Sequence, residues 1–65
     1  MAGFRVVFSR VLLSVPFPVA LIEVRRARDP GRAIRAAELR LIRRFGLDDW
    51  RERADAVEVE AVSGV

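Results

Sequence analysis

The chain opens on alternation. Phe4, Val6 and Phe8 alternate with Arg5 and Ser9, the period-two pattern of a strand with one buried face, and the strand is predicted over Phe4 to Ser14. The pattern falters at Arg10, after which Val11, Leu12 and Leu13 run together, as a bulge or a strand buried on both faces would produce. Val15-Pro16-Phe17-Pro18 follows. Proline has no N–H to donate to a ladder, so this stretch is predicted to be the connection, with Phe17 at its tip either tucked back or presented to a partner. From Val19 to Arg26 a second strand places Ala20, Ile22 and Val24 on one face and Leu21, Glu23 and Arg25 on the other.

The period then changes. Asp29-Pro30 reads as an N-cap followed by proline at the first helical position, where a missing N–H costs nothing. The helix is predicted to run to Phe45. Gly46 supplies the left-handed residue that closes it, and Arg43 and Arg44 lie in the last turn, where cations favour the helix dipole. Asp48 is positioned to cap a short turn through Arg53, and Asp55 marks a bend. From Ala56 to Val62, Val57, Val59 and Ala61 alternate with Glu58 and Glu60 as a third, half-buried strand, and Ser63-Gly64-Val65 is a tail. The prediction is one small α+β domain over residues 1–65. It has a three-stranded antiparallel sheet (ββαβ, order 2-1-3), one main helix on one face and a short helical turn before the last strand. The first strand is the most apolar and takes the centre.

At about 100° per residue, Ala33, Ile34, Ala37, Leu41 and Phe45 share the helix face that packs on the sheet, flanked by Glu38 and Arg44. Arg32, Arg35, Ala36, Leu39 and Arg43 lie opposite, with Ile42 at the border. Leu39 amid arginines is either a lone surface apolar residue or, with Ile42, the apolar centre of an interface with an arginine rim. One helix covers one face of a sheet, so Val7, Val11, Leu13 and Leu21 are expected on an uncovered face. A second protomer or a bound protein would cover them. Trp50 is read first as a lid on the open end of the core and otherwise as an exposed binding residue.

Composition narrows the chemistry. The chain contains no His, Cys, Lys, Tyr, Asn, Gln or Thr, so its polar side chains are Arg, Asp, Glu and three serines. The usual tunable acid–base group, the thiol nucleophile and the ordinary ligands of zinc or iron are missing, and no disulfide can form. No serine has a base available, Asp48 and Asp49 are adjacent without a second acid facing them, and no glycine-rich phosphate loop is present. The expectation is a protein that is not an enzyme, with no catalytic, cofactor-binding or metal site. A 65-residue chain buries only about 60% of its unfolded surface, so it gains most from a partner, and a homodimer or a protein complex is expected.

All twelve cations are arginine, and the net charge is +3. A GC-rich coding bias explains arginine in place of lysine. Arg25, Arg26 and Arg28 before the helix, with Arg32, Arg35 and Arg43 on it, are nonetheless candidate contacts to an anion or a nucleic acid. Acids dispersed through the chain, and the lack of an aromatic stacking platform, weigh against that reading. Arg5 and Arg10 precede an uncharged apolar run from Val11 to Ile22. Pro16 and Pro18 interrupt this run, no small-residue cleavage site follows it, and it is short of the roughly 20 residues of a membrane span. The protein is expected to be soluble and cytoplasmic, without a membrane span or an evident small-molecule substrate. The leading functional expectation is a non-catalytic protein–protein interaction module. It would be an accessory or inhibitory protein of bacterial or phage origin that occupies a surface on a larger partner. The alternative is an arginine-rich electrostatic nucleic-acid-binding domain.

Overall fold

A computed structural model describes residues 2–62, so the Ser63-Gly64-Val65 tail lies outside the described residues. The elements are β1 (Ala2–Leu12), β2 (Val15–Ala27), α1 (Pro30–Phe45), a single 3-10 turn (Trp50–Glu52) and β3 (Ala56–Val62). The strands form an antiparallel sheet in the order β2-β1-β3, with α1 on one face. The fold is α+β with the apolar first strand at its centre, as the sequence predicts.

The core lies between sheet and helix. Phe4, Val6 and Phe8 of β1 are buried together with Val24 and Ala27 of β2, Ala33, Ala37 and Leu41 of α1, and Ala54. Ala20, Ile22, Val57 and Val59 pack around this set. These are the alternating positions of each strand, and their small helical partners let α1 sit close to the sheet. Ala36, assigned by periodicity to the outer helix face, is instead half-buried against the core, because α1 is rotated to lay that side over β2. Phe45 is 36% exposed at the end of the helix rather than inside.

Local chemistry sets the helix ends. The Asp29 carboxylate accepts from the Arg32 backbone N–H at 2.8 Å, and Gly46 takes φ 64°, a conformation that strains any residue with a Cβ. The following turn is capped by Asp49, not Asp48. The Asp49 side chain accepts from Arg51 N, while Glu52 reaches back to accept from the backbone of Asp48 and Asp49, a reciprocal capping box. Two adjacent acids compete for that position, and only the one three residues before Glu52 completes the box.

The hairpin departs most from the sequence prediction. β1 ends at Leu12, and the chain reverses at Leu13–Ser14, both with positive φ (52° and 65°). Val15-Pro16-Phe17-Pro18, predicted as the connection, is the start of β2. β2 is an edge strand, and Pro16 and Pro18 pair with Val11 and Ser9. In a ladder closed by a two-residue turn these alternate positions direct their backbone N outward, so proline forfeits no bond to β1. The irregularity expected near Arg10 lies on the partner strand: Phe8 pairs with Ala20 and Ser9 with Pro18, leaving Val19 as the extra residue. A second shift, between Ala2 and Phe4, falls in the same edge strand and turns Ala27 into the core while Arg26 stays exposed.

Candidate interaction surfaces

The β1–β3 ladder stops at Ser9 and Ala56, while the β1–β2 hairpin continues to Leu13–Ser14. At the C-terminal end of α1, Leu41 and Phe45 line a cleft with the Val19–Ile22 stretch of β2. Beyond Arg10 the hairpin is therefore an arm with no strand on its β1 side and no helix above it among the described residues. The arm is apolar on both faces: Val11, Pro16 and Pro18 on the outer side, Leu12, Val15 and Phe17 on the helix side. Leu12 is 59% exposed, Phe17 49% and Leu13 99%.

Asp55 anchors the base of the arm. β3 begins one residue later, so β1 runs out of backbone partners here. Asp55 N donates to Ser9 O at 2.7 Å, and its carboxylate accepts from Val11 N at 2.9 Å, which prolongs the ladder by one side chain. Arg10 donates to the same carboxylate at 3.4 Å and to Glu52 O at 2.7 Å. No sequence signal separates this aspartate from an ordinary bend residue.

The sheet face away from α1 is divided. Toward the arm it carries Val7, Leu21, Pro18, Val11 and Ala56, with Glu58 beside Val7. Farther along, Glu23, Arg5 and Glu60 lie side by side across the three strands, with Arg5 and Glu60 3.0 Å apart. Of the four apolar residues expected on the outer face, Val7, Val11 and Leu21 lie on it, and Leu13 does not, because the turn carries Leu13 off the end of the sheet. Both sheet edges resist strand addition. Pro16 and Pro18 remove outward donors from β2, and on β3 antiparallel self-pairing would bring Glu58 and Glu60 against their copies.

Trp50 is half-buried, with its ring centroid 5.7 Å from that of Phe8; it closes the core. Leu39 is 49% exposed on the outer helix face, and Ile42 is half-buried beside it. The arginines flanking the helix start do not form one cluster. Arg25 faces the outer side beside Gly3, Glu23 and Val62, whereas Arg26, Arg28 and Arg32 line a cleft of about 210 Å³ floored by Val24, Ala27 and Ala36. Arg35 and Arg43 continue from there along α1.

Charge is segregated along the chain. Eight of the twelve arginines lie between residues 25 and 44 with two acids, and six of the nine acids lie between 48 and 60 with two arginines. No helix is long and apolar enough to cross a membrane, and no three potential metal-ligating side chains gather among the described residues. No protein-family model, curated protein or solved structure matches this chain.

Proposed function

We propose that this protein is a non-catalytic, cytoplasmic protein-binding module that engages its partner through the β1–β2 arm. The carrying observation is Leu13. It is 99% exposed, lies at the end of an arm that is apolar on both faces, and is held at φ 52°, a conformation unfavourable for a leucine. An exposed leucine in a strained turn is unfavourable twice over in the free molecule, and strain of this kind gathers at binding sites. Full burial of one leucine side chain in a partner pocket contributes about 1.5–3 kcal/mol, and Leu12, Val15 and Phe17 supply a surrounding contact. The guarded sheet edges favour docking by side chains over strand addition.

Photo-crosslinking tests the reading. A photoreactive residue at position 13, and separately at position 58 on the outer sheet face, is irradiated in an extract of the native host. A discrete adduct is expected from position 13 and none from position 58. An adduct of twice the chain mass identifies a second copy as the partner. Equal, diffuse labelling from both positions overturns the proposal.

A further inference from the structure

We propose that the outer face of α1 binds the phosphate backbone of a nucleic acid. At about 100° per residue, Arg32, Arg35, Leu39 and Arg43 fall within an arc of roughly 80° on the side turned away from the sheet. Arg26 and Arg28 extend this stripe past the helix start, where they share the cleft with Arg32. At 1.5 Å rise per residue, Arg32 to Arg43 spans about 17 Å. Arg26, Arg28, Arg32, Arg35 and Arg43 together can reach up to five phosphates.

The arginines of the stripe are spared from internal pairing. Among the described residues, Arg26, Arg28, Arg35 and Arg43 make no salt bridge, and Arg32 touches only its own cap, Asp29, at 3.5 Å. On the other side of the molecule, Arg5, Arg10 and Arg51 are paired with Glu60, Asp55 and Asp49. A GC-rich coding bias would give arginine in place of lysine. It does not account for where the acids are, and their concentration in the 3-10 turn and β3 leaves the helix face with a field of one sign.

The chemistry selects a polyanion with regularly spaced charges. A guanidinium can grip a phosphate through two parallel N–H donors. The stripe contains no aromatic residue and no amide, so it reads backbone and not bases. A membrane surface fits less well. An interfacial helix needs an apolar face free for the lipid, and the apolar face of α1 is committed to the core, leaving only Leu39 and, at the helix end, Phe45 exposed.

The test is fluorescence anisotropy of a labelled 20-base-pair duplex across a salt series. With four to five phosphate contacts, affinity should fall about 150- to 500-fold between roughly 50 and 200 mM salt, and about 10- to 40-fold for Arg35→Ala/Arg43→Ala. Arg51→Ala/Arg53→Ala removes the same net charge from the acidic side and should leave the wild-type salt dependence in place. Both substituted pairs are exposed, and circular dichroism verifies the fold; the wild-type salt dependence is a test that needs no variant. Absence of duplex, single-strand or RNA binding at low salt overturns the proposal. So does an equal loss in both double variants, or binding confined to phosphatidylserine vesicles.

Discussion

Replacing Leu13-Ser14 by Asn-Gly should stabilise the protein. Two-residue hairpin turns with positive φ at both positions prefer Asn-Gly, and here a leucine and a serine hold φ 52° and 65°. A residue with a branched or bulky side chain in the left-handed region costs roughly 1–2 kcal/mol, and asparagine tolerates that region well. Leu13 is 99% exposed, so its removal forfeits almost no burial. At position 14, relief of strain is partly offset by the larger backbone entropy that glycine loses on folding, about 0.5–1 kcal/mol. The net expectation is a gain of about 1–2 kcal/mol. For a domain of this size that corresponds to a rise in Tm of roughly 4–15 °C, or to a higher urea midpoint at unchanged slope. Thermal and urea denaturation of Leu13→Asn/Ser14→Gly measure it. An unchanged or lower midpoint would refute the reasoning, since it would mean that the turn is relaxed with Leu13 in place. The same variant should bind the partner more weakly, placing stability and binding in opposition at one residue.

Other perturbations address the supports of the arm and the sheet. Asp55→Ala removes the acceptor of Val11 N and the exposed ion pair with Arg10 and should cost about 1–2 kcal/mol; Asp55→Asn, which keeps an acceptor, should cost less than half of that in the same denaturation assay. Asp29→Ala removes the helix N-cap, and a loss of about 0.5–2 kcal/mol in urea unfolding is expected. Pro16→Val/Pro18→Val restores outward donors on the β2 edge, so multi-angle light scattering should show a mass that rises with protein concentration beyond that of wild type; identical masses would remove the prolines from the account of edge protection.

What the sequence revealed follows from how local each signal is. Asp29-Pro30 and Gly46 bound α1 because capping depends on a residue and its immediate neighbours. Glu58 and Glu60 mark the outer face of β3 because strict alternation leaves no second register. The hairpin lies elsewhere than its sequence predicts for the complementary reason. Leu-Ser carries no turn signature, and Pro-Phe-Pro carries a misleading one, since proline excludes a strand only where its N–H would be needed. That condition depends on which strand is the edge, a property of the whole sheet. The outer-face positions of Val7, Val11 and Leu21 were legible from alternation, whereas Leu13 moved with the turn. Arg25 parted from Arg26 and Arg28 because the register shift beside it lies in the pairing with β1, which no stretch of β2 alone records. The clamp at Asp55 joins residues more than forty positions apart in the chain.

The contact between Trp50 and Phe8 gives the molecule a built-in optical reporter. Trp50 is the single tryptophan and the chain has no tyrosine, so its near-ultraviolet emission arises from one indole seated on the central strand. Loss of the sheet–helix core moves that indole into water and shifts its emission to the red. Events on the far side of α1, where Arg35 and Leu39 lie, leave its surroundings unchanged. One unlabelled signal thereby separates unfolding from binding, in the wild type and in every variant that keeps position 50.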